Sequence, residues 1–130
     1  MIHLDTSALI DALTGPRRSA EKLRSLIEQG ERIAFSSLVL YEWRRGPRHA
    51  DELRVQETLF PSASAAVFGK EDAALAADLY RNVQRPRGRE LDLAIAATAI
   101  VNDATFWTLN PCDFGDIPGL RLLAPGRDMF

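Results

Sequence analysis

A chain of 130 residues, 46% of them hydrophobic, is expected to form one domain over 1–130, able to bury roughly two thirds of the surface its unfolded form exposes. No apolar run approaches the roughly 20 residues that span a bilayer. The first residues meet Asp5 with no basic leader, and the single cysteine, Cys112, has no partner for a disulfide or zinc site, so a cytoplasmic address is expected. The formal charge of −2 supplies no net basic field for a nucleic acid, yet fourteen of the sixteen basic residues are arginines, bunched at 44–48 and 81–89. Such clusters suit phosphate recognition through the planar guanidinium fork, and they equally suit solvated helix ends and loops.

Residues 1–4 read as a short buried strand stopped by Asp5, with Thr6 or Ser7 placed to cap a helix running to Leu13 before Gly15-Pro16. Leu23, Leu26 and Ile27 have helical spacing between Ser19 and Gln29, and Gly30 stops that helix. Ile33-Ala34-Phe35 is a second strand. Ser36 or Ser37 then caps a helix carrying Leu38 to Trp43 and closing at Gly46-Pro47. Residues 49–59 are charged and helical in period, Pro61 breaks them, and Ala65 to Phe68 is expected as a third strand. An alanine-rich helix over 71–83 follows, then a turn at 85–88 and a helix over 91–101. Thr105 to Thr108 is strand-like, Asn110-Pro111 turns the chain, and Leu120 to Leu123 is a last strand. Short strands alternating with amphipathic helices predict an α/β fold with a parallel sheet covered on both faces, whose ligands bind beyond the carboxyl ends of the strands.

Most of the acidic residues, among them Glu21, Glu57, Glu71 and Asp72, are expected on polar helix faces. Asp5 differs because it ends an apolar strand, and although aspartate caps helices well, Thr6 and Ser7 stand ready for that duty. Glu42 interrupts an apolar run and needs either a cation such as Arg45 or a metal ion, since an unmatched carboxylate among apolar side chains costs several kcal/mol. Asp92 heads the buried stripe Ile95, Ala96, Ala99. Complementing the helix dipole, worth about 0.3 to 1 kcal/mol, explains Glu90 as well and does not account for an acid on that stripe. Asn110 and Asp113 are ordinary turn residues or oxygen donors to the same site. Carboxylates converging without a cation raise one another's pKa, and a hard divalent ion with oxygen ligands removes the conflict. On residue types alone, phosphatase and nuclease remain equal.

Four segments carry a resemblance: Ile2-His3-Leu4-Asp5-Thr6-Ser7, Leu40-Tyr41-Glu42-Trp43-Arg44-Arg45-Gly46, Asp92 through Ala99, and Thr108-Leu109-Asn110-Pro111-Cys112-Asp113-Phe114. In this order and spacing the chain resembles the PIN-domain family, and within it the VapC-type toxins of bacterial toxin–antitoxin pairs. The resemblance implies a three-layer α/β/α domain with a four- or five-stranded parallel sheet and an acidic pocket binding Mg2+ or Mn2+. Asp5, Glu42 and Asp92 match the family's metal-binding acids. Asn110 stands where many relatives carry a fourth acid, so either its carbonyl or the Asp113 carboxylate completes the set, while Thr6 and Thr108 match positions that orient these groups. The implied activity is endonucleolytic cleavage of single-stranded or looped RNA by metal-activated water, leaving a 5′-phosphate and a 3′-hydroxyl. Arg85, Arg87 and Arg89 are the expected phosphate contacts. A VapB-like antitoxin covering the acidic cleft and a homodimer are the implied partners. The alternatives are a catalytically weak or silent RNA-binding or interaction module, and a magnesium-dependent phosphatase with Asp5 as nucleophile. That last chemistry usually places a second aspartate two residues on, where this chain has Ser7.

Overall fold

The computed structural model describes residues 1–124, so the last six residues of the expected domain lie outside the described part. Four strands, β1 (Ile2–Leu4), β2 (Ile33–Ala34), β3 (Thr105–Trp107) and β4 (Arg121–Leu122), form one sheet in the order β2-β1-β3-β4, every pair parallel. Six helices complete the three-layer arrangement: α1 (Thr6–Leu13), α2 (Ala20–Glu28), α3 (Ser37–Arg45), α4 (Ala50–Leu59), α5 (Lys70–Asn82) and α6 (Glu90–Val101). Among the described residues no helix is long and apolar enough to cross a membrane.

Local chemistry sets the element ends. Ser36 Oγ accepts from Val39 N at 3.1 Å, which satisfies one orphan amide at the start of α3. Gly30, with φ +87°, follows α2 in the left-handed conformation that only glycine adopts without cost. α6 is apolar almost all round, and such a helix must be buried: Leu93, Ile95, Ala96, Ala97 and Ala99 join the core formed by Ile2, Leu4, Phe35, Val39, Trp43 and Phe106. Its small side chains let α3 and α5 approach closely.

Three expectations need correction. Residues 65–68 do not form a strand. Ala66 makes a single parallel bridge beside Ser36, because the 3-10 turn Ser62–Ser64 and the start of α5 at Lys70 leave too little extended chain to pair further. The N-cap of α1 is Asp5 itself, not Thr6 or Ser7, although its side chain makes no capping bond. Asp72 is not on a polar face: it is 5% exposed, and its Oδ2 is buried without a hydrogen-bond partner. It shares the helical stripe of Leu75, Ala76 and Leu79, so the period of α5 turns it inward, where its charge acts on the buried His3.

Candidate functional site

The strand order reverses direction between β1 and β3, and the crevice beyond their carboxyl ends is where open parallel sheets bind ligands. Asp5 leaves β1 there. Its amide donates to Trp107 O at 2.8 Å, extending the register that pairs Leu4 with Trp107, and the residue is 5% exposed. The Asp5 carboxylate turns away from the helix it heads: Oδ2 accepts from Ser7 Oγ at 2.9 Å and from Thr108 Oγ1 at 2.7 Å. These hydroxyls in turn accept from the main chain past β3, Ser7 Oγ from Leu109 N and Thr108 Oγ1 from Asn110 N, each at 3.0 Å. The Asp5 oxygen is therefore fixed to two chain segments a hundred residues apart.

Thr6, the next residue, serves the second acid. Its Oγ1 donates to Glu42 Oε1 at 2.5 Å, linking α1 to α3, while Arg45 Nη2 lies 3.5 Å from Glu42 Oε2. Asp92 stands half-buried in the first turn of α6. Its pKa is pushed up to about 6, first by burial, then by the charges of Asp5, Glu42 and Asp113, with Arg89 opposing. The four acids are thus one electrostatic neighbourhood. Asp113 is exposed on the 3-10 turn Pro111–Asp113, and Asn110 is exposed at that turn's start.

Arg89 behaves differently from the other two arginines of its loop. Arg85 and Arg87 are exposed. The Arg89 side chain is only 21% exposed, and its guanidinium donates to Asp116 Oδ1 at 2.6 Å, Asp116 Oδ2 at 3.0 Å, Asp113 O at 3.0 Å and Gln84 O at 3.1 Å. Sequence reading passes over both Asp116 and Ser7 as site residues. Ser7 could have been found from its i+2 spacing to Asp5. Asp116 offers no local signal, since only the fold brings it to Arg89, 27 residues away.

Oxygen donors without nearby thiolate or imidazole ligands suit a hard divalent cation. Among the described residues no three Asp, Glu, His or Cys side chains are disposed to hold a metal ion by themselves. Magnesium does not require this, since it keeps several waters and is usually bound through one or two carboxylates. The Asp92 carboxylate, disfavoured as an anion by burial and by Asp5 beside it, fits such an ion together with Asp5.

The PIN domain family model matches residues 2–114. Ribonuclease VapC19 of Mycobacterium tuberculosis (strain CDC 1551 / Oshkosh) is 36% identical over 120 residues, covering 91% of this chain and 95% of that protein. The fold matches VapBC bound to DNA from Salmonella typhimurium with a TM-score of 0.75 at 22% identity, over 94% of this chain and 96% of that one. It also matches VapBC2 from Rickettsia felis, bound to a promoter DNA fragment, with a TM-score of 0.73 at 24% identity, over 95% and 98%. Sheet order, the acids gathered beyond β1 and β3, and these likenesses agree: the chain belongs to the PIN-domain family and is of the VapC type.

Proposed function

We propose that the protein is a divalent-metal-dependent endoribonuclease, the toxin of a VapBC-type pair, acting on single-stranded or looped RNA. The observation that carries this reading is the meeting of acids beyond β1 and β3: buried Asp5 is aimed by Ser7 and Thr108, Glu42 is tied to the adjacent Thr6, and half-buried Asp92 has its carboxyl raised by burial and then by their charges, where a cation would relieve the repulsion. Asp5, Asp92 and Glu42 are the residues that would hold Mg2+ or Mn2+, and Asp113 would complete the acidic set. When bound, such an ion supplies an activated water and stabilises charge on an in-line phosphoryl transition state. Ser7 and Thr108 orient Asp5 through Oδ2, which leaves Oδ1 for the ion or its waters, and Thr6 orients Glu42. Asn110 ties the turn that carries Asp113 to Thr108. Single strands fit because a splayed backbone enters a cleft that a duplex does not.

The partner of this reading is a VapB-like antitoxin, and a homodimer belongs to the same reading. An apolar groove of about 260 Å³ between α1, α2 and α4, floored by Leu13 and Leu23 and edged by the exposed Ile27, Val55 and Leu59, opens beside Arg17 and Arg24. It fits an amphipathic antitoxin segment carrying acidic side chains.

The test is incubation of the purified chain with mixed RNA, with and without excess chelator, followed by mapping of the ends. Products with a 5′-phosphate that vanish in chelator are expected; cleavage persisting in chelator contradicts the reading. In binding titrations against single-stranded RNA over a range of salt, Arg85→Gln with Arg87→Gln should weaken binding and lower its salt slope by about 1.4, roughly 0.7 for each lost phosphate contact. An unchanged slope returns both to the solvated loop.

A further inference from the structure

Arg89 joins three pieces of chain at the mouth of the acidic crevice. It is the N-cap residue of α6, three residues before Asp92. Its Nη1 donates to Gln84 O in the loop behind it, and its Nη2 to Asp113 O across the crevice. Both guanidinium nitrogens also grip the Asp116 carboxylate, with Nη1 3.0 Å from Oδ2 and Nη2 2.6 Å from Oδ1. This fork-on-fork geometry fixes direction as well as distance, which a lysine ammonium cannot do. Phe114, against Phe106, and Ile117 anchor this segment in the core. Pro111, Cys112, Asp113, Gly115 and Asp116 are exposed, however, and the hydrogen bonds from Arg89 tie the Asp113 and Asp116 positions to the start of α6.

We propose that Arg89 and Asp116 are a pair of positioning residues, a staple that sets the Asp113 segment against Asp92 and so tunes the pocket's hold on a divalent ion. This rests on the reading of the crevice as a metal site and assigns Arg89 a duty other than substrate contact. Four internal hydrogen bonds occupy its Nη1 and Nη2, and releasing them to reach an RNA phosphate would loosen the exposed part of the turn that carries Asp113. The pair also balances charge. Arg89 lies close enough to Asp92 to oppose the repulsion from the other acids, while its two hydrogen bonds to Asp116 fix where that charge stands.

The test compares the full-length wild type with Asp116→Asn, Arg89→Lys and Asp116→Glu. Three readouts are taken: calorimetric titration with Mn2+, amide hydrogen exchange over residues 110–117 without metal, and binding and cleavage of single-stranded RNA. The staple predicts faster exchange in that segment and Mn2+ binding weakened by roughly tenfold in Asp116→Asn, the lower end of what partners behind metal ligands are worth. Arg89→Lys should share the defect because it keeps the charge and loses the fork, and Asp116→Glu should restore part of it. Exchange or Mn2+ affinity equal to wild type in Asp116→Asn overturns the proposal. Full rescue by Arg89→Lys also overturns it, because charge alone would then suffice. Arg89→Lys with unchanged Mn2+ affinity and weakened RNA binding returns Arg89 to substrate contact. A wild type that binds Mn2+ and leaves RNA intact sinks the ribonuclease reading and spares the staple. One that binds no Mn2+ at millimolar concentration sinks the metal site and the staple together.

Discussion

Asp92→Asn is expected to be more stable than the wild type at pH 8 in chelator, and inactive. The Asp92 carboxyl, raised to about 6, is ionised at pH 8 against burial and three neighbouring acids, so its charge costs folding energy. An asparagine of the same shape removes the charge. The difference from the ordinary value of 3.8 corresponds to a gain of about 2 kcal/mol after allowance for solvent at a half-buried site. For a chain of this size that raises Tm by roughly 5 to 10 °C. Cleavage should fall by more than about a hundredfold, since even partners behind metal ligands cost 10- to 100-fold when lost. A variant less stable than wild type under these conditions would mean that hydrogen bonds hold the Asp92 anion comfortably, and the account of a strained, ion-ready pocket would fail.

Acid should close the gap between the same variant and the wild type. His3, 2% exposed on β1, has its pKa pushed down to about 4 by burial and then by the N-terminal ammonium, with Asp72 opposing. Because its folded value lies below the unfolded 6.5, the neutral ring's contribution is complete above pH 6.5. It is lost as pH falls toward 4, to a total of roughly 3 kcal/mol. Asp92 has the reverse sign: its folded value lies above the unfolded one, so its cost is full above pH 6 and disappears as pH falls toward 3.8. In the wild type the two nearly offset each other between pH 6.5 and 4. Both proteins lose the His3 contribution, but only the wild type sheds the Asp92 cost, so the variant's advantage at pH 8 should be gone by about pH 4 in urea titrations at fixed temperature. A constant gap across that range would contradict the raised Asp92 carboxyl, because His3 is common to both proteins and cancels from the difference.

Much of the fold is written in short-range signals. Ser36, Gly30, Pro61 and the Gly46-Pro47 pair sit where helices begin or end, and each acts through the backbone within a residue or two. The third-strand expectation failed for a local reason and a long-range one: the 3-10 turn at Ser62–Ser64 and the start of α5 at Lys70 leave little extended chain between them. Ala65 and Ala66 have extended backbone, but whether such a segment becomes a strand depends on how much neighbouring edge is free, and here only Ser36 offers a bridge. Asp72 was legible in principle, since spacing to Leu75, Ala76 and Leu79 places it on the inner stripe, but its charge suggested the outside. At the site, Asp5 and Asp92 were marked by acids standing where apolar residues belong. Thr6 and Thr108 were marked only by the family resemblance and Ser7 could have been found from its spacing to Asp5, whereas the Arg89–Asp116 pair joins residues 27 apart that no local pattern links.

The central claim is that acids from β1, α3 and α6 share one divalent cation, and crystals soaked in Mn2+ test it most directly. The account predicts an anomalous peak in the crevice beyond β1 and β3, touching Asp5 or Asp92 directly and the remaining acids directly or through water. The peak should be absent from Asp5→Asn crystals soaked identically. A crevice without Mn2+ density at concentrations that support cleavage, or a peak lying only on exposed acids elsewhere, would contradict it.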